Sequence, residues 1–166
     1  ACKELVTVLF AKGIQNIAYL GSNMDQMVNR CRYQGYEEAY RKGKRKLNQD
    51  LVYTDLSSRA MVEKAVEELK NSGVECILCQ DDYICDEVVR KHARMGVRIP
   101  DQMKVASCHY SRILENYPIT ITSLKFNITE LGRRSCQVLL DMIHGKTVPD
   151  KTLLDYEIIL KESTKG

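Results

Sequence analysis

Val74-Glu-Cys-Ile-Leu-Cys-Gln-Asp-Asp82 is the stretch of sequence that decides the fold. The short apolar run at 76–79 is typical of a buried strand, and it stops abruptly at three polar side chains. Apolar residues then recur at helical spacing as far as Gly96, which suits a helix C-cap, and Pro100 prevents the helix from resuming. A second apolar run follows at 103–107, so the stretch predicts a strand–helix–strand unit. Ligands of open α/β sheets bind just past the carboxyl ends of strands, and the polar side chains occupy such a position.

Strands and helices alternate along the rest of the chain in the same way. We predict helices over about 2–12, 24–42, 58–71, 82–95 and 128–144, and strands at 14–20, 51–54, 75–79, 103–107, 119–124 and 153–160. This alternation predicts an α/β fold, a doubly wound and mostly parallel sheet flanked by helices. The last helix is expected to begin at Asn127, with Glu130 as its capping-box partner, and to end at Gly145.

Size and composition narrow the class of protein. The chain has 166 residues, 44% of them apolar and 28% charged, which is ordinary for a globular domain. The net charge of +3 is too small to indicate a nucleic-acid partner, and no apolar run is long enough for a membrane span. Seven cysteines, an odd number spread over apolar positions, predict reduced thiols in a cytoplasmic protein. The first ten residues lack the layout of a signal peptide, and we expect Ala1 to be a boundary or cut site.

Four short motifs occur in order along the chain. They are Gly-Ile-Gln-Asn-Ile-Ala-Tyr-Leu-Gly at 13–21, Arg-Tyr-Gln-Gly-Tyr at 32–36, the Gln-Asp of 80–81 with Gly-Val-Arg-Ile-Pro-Asp at 96–101, and Thr-Ser-Leu at 122–124 with Glu-Leu-Gly at 130–132. Together they resemble the effector-binding domain of the LacI/GalR family of bacterial transcription regulators. The resemblance covers nearly all of this chain but only about the C-terminal half of a full family member. It implies a lobe of the periplasmic-binding-protein-like fold.

The resemblance also implies how the chain is organised. Residues 1–166 are expected to be the C-terminal part of an effector-binding and dimerisation domain, without the DNA-binding helix-turn-helix. In the family, the segment matching 119–144 crosses into the other lobe, which would be missing here. We therefore expect the apolar face of the last helix to pack on another copy, to fold back, or to be poorly ordered. The helix at 82–95 and the segment Ser57–Met61 are the expected dimer interface.

For function, the resemblance implies a regulator whose small-molecule effector binds between two lobes and changes the affinity of a dimer for DNA. The effector would be a sugar or a related metabolite. DNA would be bound only through the missing N-terminal domain, and no membrane partner, cofactor or metal is implied. This chain alone, with half a cleft, is expected to bind its effector weakly or not at all and to bind no operator.

Four residues are expected at the effector site: Arg32, Gln80, Asp81 and His109. Arg32 would donate a fork of hydrogen bonds to ligand hydroxyls or to a carboxylate. Gln80 and Asp81 lie where the family has Asn-Asp, so the amide would meet a hydroxyl while the carboxylate caps the following turn. His109 replaces the family's ligand-binding aspartate, which favours an acidic or phosphorylated ligand or a degenerate site. The plain alternatives are a solvated Arg32 and a His109 that is simply hydrogen-bonded at a strand end.

The sequence gives only weak signals for a metal, redox or catalytic site. The cysteines at 76 and 79 have CxxC spacing, but within a strand they would point to opposite faces, which argues against a metal or redox centre. Cys108 and His109 are adjacent, would diverge, and have no third orienting group, so no catalytic residue is expected. The basic run at 41–46 suits the C-terminal end of a helix. A periplasmic sugar-binding protein and a small α/β enzyme are the remaining alternatives.

Overall fold

A computed structural model describes residues 1–165 as five helices and six strands joined in one sheet. The helices are α1 (Cys2–Ala11), α2 (Met27–Lys42), α3 (Arg59–Leu69), α4 (Asp82–Arg94) and α5 (Ile128–Ile143). The strands are β1 (Ile17–Leu20), β2 (Val52–Tyr53), β3 (Cys76–Cys79), β4 (Lys104–Ser107), β5 (Thr122–Phe126) and β6 (Tyr156–Ile159). None of the described helices combines the length and the apolar character that crossing a bilayer requires.

The sheet is mostly parallel, as predicted. Its strand order is β2-β1-β3-β4-β5-β6, and only β6 runs antiparallel to its neighbour. The predicted strand at 119–124 begins and ends later, because the backbone N–H of Thr120 donates to Glu162 Oε2 (3.0 Å) instead of joining the sheet. The predicted strand at 153–160 is shorter for a similar reason, since pairing with β5 starts at Tyr156.

Two hydrophobic cores lie on opposite faces of the sheet. α3 and α4 cover one face, and α1 and α2 cover the other. β3 contributes to both, because successive side chains of a strand alternate: Ile77 and Cys79 pack under α3 and α4, while Cys76 and Leu78 pack under α1 and α2. The two cysteines of the CxxC spacing therefore face different cores, as the strand interpretation predicted.

A short 3-10 turn at Glu162–Thr164 locks β5 to β4. The hydroxyl of Ser163 donates to the carbonyl of Val105 (2.6 Å) and accepts from the N–H of Thr122 (2.9 Å). It thus extends the ladder beyond the two backbone pairs that β4 and β5 share. This clamp holds β5 in register where it passes the candidate site.

The last helix, α5, contributes no residue to either core. Asn127 caps it as predicted, its Oδ1 accepting from the N–H of Glu130 (3.0 Å), and Gly145 follows its end with φ +70°. The other half of the predicted capping box is wrong, because the carboxylate of Glu130 accepts from Arg133 and Arg134 instead. Several large apolar side chains of α5 are exposed: Ile128, Leu131, Leu139, Leu140, Met142 and Ile143.

Candidate functional site

The carboxyl ends of β1, β3 and β4 meet in one row, which sets the place of the candidate site. Leu20 pairs with Cys79, and Cys79 pairs with Ser107, so each strand ends level with its neighbour. The residues that follow, at 21–23, 80–82 and 108–109, therefore lie side by side. This is the edge at which doubly wound sheets bind ligands.

Gln80 lies beneath this edge rather than on it. Its side chain is fully buried, and its Oε1 accepts from the Tyr19 hydroxyl (3.3 Å) and from the N–H of Ser22 (3.2 Å). A Cβ on Gly21 would lie 2.6 Å from that oxygen, so the loop can close over the amide only because residue 21 is glycine. The structure thus corrects the expected place of Gln80: its longer side chain reaches the β1–α2 loop and holds it, and contact with a ligand stays a prediction.

Asp81 caps α4, as the sequence predicted. Its Oδ1 accepts from the N–H of Ile84 (2.9 Å), and the side chain is partly exposed at the edge. A carboxylate in this position satisfies a free N–H of the first turn and complements the positive end of the helix dipole. Asp81 therefore fixes where α4 begins and presents one negative charge beside the site.

His109 is held by a partner that the sequence did not reveal. Its Nδ1 donates to Oδ1 of Asp82 (3.1 Å), and its ring lies against Phe126, with 6.5 Å between ring centroids. Burial raises the pKa of Asp82, but hydrogen bonds from Ser111 and His109 outweigh it and leave the pKa below its ordinary value. Asp82 is thus an ionised carboxylate that orients the imidazole. His109 is partly exposed, so both the ligand-contact and the plain hydrogen-bonded interpretations stay open.

Arg32 lies on α2, partly exposed. Its charge reaches the phenol of Tyr19: burial raises the pKa of that phenol strongly, and Arg32 opposes the rise only in small part. Over residues 1–165 no carboxylate lies within ion-pair distance of its guanidinium, whereas Arg30 nearby donates to the carbonyls of Met24 and Asp25. The guanidinium donors of Arg32 are therefore not used in an ion pair, and their contact with a ligand stays a prediction.

The edge carries groups that can hydrogen-bond a ligand. It offers carboxylate groups from the start of α4 and an imidazole after the end of β4, while Arg32 on α2 is near enough for its charge to act on the phenol of Tyr19. Cys108 points away from His109, its thiol lying in the core beneath α1 and α2, so the two do not form a nucleophile and base. In the described part of the chain, no three His, Cys, Asp or Glu side chains cluster as metal ligands would. A polar small molecule is what these groups can hold.

Comparison with known proteins agrees with this description. A family model for the periplasmic binding protein-like domain matches residues 6–164. The chain is 26% identical over 166 residues to the HTH-type transcriptional regulator GntR of Escherichia coli (strain K12), which covers 92% of this chain and 46% of that protein. The chain therefore spans about half the length of the curated relatives it matches.

Solved structures show the same fold. The transcription regulator CcpA of Lactococcus lactis superposes with a TM-score of 0.90 at 23% identity, over 99% of this chain and 61% of that one. A complex of the transcriptional regulator CelR with cellobiose superposes with a TM-score of 0.84 at 24% identity, over 98% of this chain and 50% of that one. The mostly parallel sheet flanked by helices is thus the periplasmic-binding-protein-like fold found in LacI-family regulators.

Proposed function

This chain belongs to the periplasmic binding protein-like domain family, and from that premise we propose that it is one lobe of the effector-binding domain of a LacI/GalR-type transcription regulator. The observation that supports the proposal is the row of level strand ends that carries Asp81 and His109, and we propose that Arg32 of α2 reaches the same ligand. The relatives named above are transcription regulators rather than enzymes, and the edge has no paired nucleophile and base.

In the proposed mechanism a small molecule bridges this edge and a second lobe. Closure around the ligand changes the angle between the lobes, and the difference in affinity between the two states shifts DNA binding by a separate domain. Arg32 and His109 would contact the ligand, Asp82 would orient His109, and Gln80 would hold the loop that frames the site. An imidazole and a guanidinium among the proposed ligand contacts favour a sugar or related metabolite that carries an acidic or phosphorylated group.

The proposal also gives α5 a place. Residues 119–144 would cross into the second lobe, and α5 would bury its apolar face there. Each large apolar side chain that leaves water contributes about 1.5–3 kcal/mol, which is a substantial reason for this face to find a partner. The supporting observations are that α5 enters neither core and that the chain spans about half the length of its relatives.

We further propose that the lobe forms a homodimer through α4 and the segment Ser57–Met61. Tyr83, on the first turn of α4, exposes 72% of its surface, so its ring is free to contact a second copy. Sedimentation velocity over a concentration series tests this: a dimer that Tyr83→Ser weakens is expected. A monomer at every concentration would contradict the dimer.

The proposed location is the cytoplasm, where a DNA-binding regulator acts. All seven cysteines are free thiols in the structure, which fits a reducing compartment and disfavours the periplasmic sugar-binding alternative.

Ligand-observed NMR on this chain tests the effector site. Simple sugars, sugar acids and sugar phosphates are screened against the native chain, Arg32→Ala and the control Arg98→Ala, whose exposed arginine lies in the loop after α4. Weak binding of an acidic or phosphorylated compound is expected, with about a tenfold loss or more in Arg32→Ala because a charge-assisted hydrogen bond is removed. Equal binding by the two variants would contradict the assignment of Arg32 to the ligand site. Tight binding of a neutral sugar would contradict the expectation that this chain holds only half of the binding cleft.

A further inference from the structure

Two buried thiols face each other behind the candidate site. The thiol of Cys108 donates to the sulfur of Cys2 across 3.5 Å, although the residues are 106 positions apart in the chain. Cys2 lies in the first turn of α1, and Cys108 follows β4 directly before His109. A disulfide bond is about 2.05 Å long, so the two sulfurs would have to approach each other by about 1.5 Å to form one.

The packing of α1 on α2 sets the position of Cys2. A Cβ on Gly35 of α2 would lie 3.1 Å from the Cβ of Cys2 and 3.0 Å from the backbone nitrogen of Lys3. The glycine therefore allows the first turn of α1 to close onto α2 and to reach the end of β4. The thiol contact therefore joins the first turn of α1, held against α2, to the residue that follows β4.

We infer that Cys2 and Cys108 are a redox-active dithiol that closes into a disulfide when the protein meets hydrogen peroxide. The thiolate of Cys2 attacks one peroxide oxygen, which forms a sulfenic acid and releases hydroxide. The sulfur of Cys108 then attacks the sulfenic sulfur, the S–O bond breaks, and the proton of Cys108 leaves with the hydroxyl group as water. Overall, two thiols lose two electrons and two protons, and one peroxide is reduced to two waters.

Local opening of α1 gives the oxidant its path. In the closed state the hydrogen bond from Cys108 and burial raise the pKa of Cys2, so the thiol is protonated and slow to react. Cys2 lies in the first turn of α1, and terminal turns of helices open more readily than the central strands of a sheet. Opening exposes Cys2, and reclosure returns it to Cys108.

Cys79 and Cys85 provide an internal contrast. Burial and a hydrogen bond from Cys85 raise the pKa of Cys79, so these two thiols are also neighbours, and both are completely buried. Cys79 lies in β3, a central strand of the sheet, and Cys85 lies near the start of α4, which Asp81 caps. Peroxide is therefore expected to oxidise the first pair and to leave the second reduced.

Formation of the disulfide would couple oxidation to the candidate site. The disulfide would tie the first turn of α1 to the backbone beside His109, whose ring is oriented by Asp82. This inference stands on the thiol geometry and does not depend on the identity of the effector.

The test uses the full chain with Cys31→Ser and Cys136→Ser, which removes the two exposed thiols. The protein is treated with peroxide, alkylated and digested, and its peptides are identified by mass spectrometry. The expected product is one intramolecular disulfide between residues 2 and 108, which thiol reductant reverses and which forms faster at higher pH. A thermal midpoint several degrees higher for the oxidised form is expected as well, because the bond closes a long loop.

Two further variants make the result decisive. Adding Cys2→Ser or Cys108→Ser is expected to abolish the cross-link, and Cys76→Ser, which removes a buried thiol outside both pairs, is expected to leave it. Three results would each overturn the inference. The first is that all five remaining thiols stay reduced in the native fold. The others are oxidation of residue 2 to a sulfinic acid without a cross-link, and a cross-link between residues 79 and 85.

Discussion

Removing the acceptor at Gln80 is predicted to loosen the loop that frames the site. In Gln80→Met the side-chain volume is nearly kept, while the oxygen that accepts from Tyr19 and Ser22 is lost. The Tyr19 hydroxyl is then a buried donor without its partner, because Tyr19 has no exposed surface. Any change in stability thus reports the hydrogen bonds rather than a cavity.

The expected size follows from these contacts. A buried donor left without a partner costs about 1–3 kcal/mol, and the partly buried N–H of Ser22 adds about 0.5–1 kcal/mol. Gln80→Met should therefore lower the free energy of unfolding by about 1.5–4 kcal/mol. Tyr19→Phe, which leaves Gln80 bound to Ser22, should lower it by only about 0.5–1.5 kcal/mol.

Urea denaturation of both single variants and the double variant, followed by circular dichroism, measures the coupling between the two side chains. Tyr19→Phe removes the donor that Gln80→Met leaves unpaired. The loss of unfolding free energy caused by Gln80→Met should therefore be about 1–2 kcal/mol smaller when residue 19 is already phenylalanine. Effects that add within about 0.3 kcal/mol would refute the proposed role of the buried amide.

Three further substitutions test the fold and its response to pH. Ser163→Ala leaves one buried backbone group on β4 and one on β5 without a partner, and should cost about 2–4 kcal/mol in urea denaturation; a loss under 0.5 kcal/mol would contradict the clamp. Burial lowers the pKa of His92 in the folded protein despite its hydrogen bond to a backbone carbonyl. As the pH drops below about 6.5, His92 is therefore protonated in the unfolded chain before it is protonated in the folded one, and the free energy of unfolding should fall. His92→Gln should flatten that slope between pH 7 and pH 5, and an unchanged slope would count against the assignment. Gly21→Ala would place a methyl group 2.7 Å from the ring of Tyr19 and 2.6 Å from Gln80, and should lower the melting temperature by several degrees, since the overpacking costs about 1–3 kcal/mol.

The periodicity of the sequence was enough to predict the main elements. Helical spacing placed α4 within one residue of its observed end, and the apolar runs placed β3 and β4. The strands at 119–124 and 153–160 were less well placed, because pairing with a distant partner sets their limits. The bond from Thr120 to Glu162 joins residues 42 positions apart, and no local pattern contains it.

The position of the candidate site stays a prediction, while the contacts among its residues could be foreseen only in part. Asp81 follows a strand and precedes a helix, and that local context is enough to predict a cap. The pairing of His109 with Asp82 spans 27 positions and depends on the register of β3 and β4, so composition and spacing could not reveal it. The burial of Gln80 could have been suspected from the glycine at 21, which leaves room for a longer amide under the loop.

The most direct test of the central claim is to map where a ligand binds on this chain. Two-dimensional amide NMR spectra are recorded while the best compound from the ligand screen is titrated into the isotope-labelled protein. The account predicts shifts confined to the edge formed by residues 21–23, 80–82 and 108–109, together with Arg32. Shifts concentrated at the opposite edge of the sheet, or along α5 with the strand ends unchanged, would contradict it.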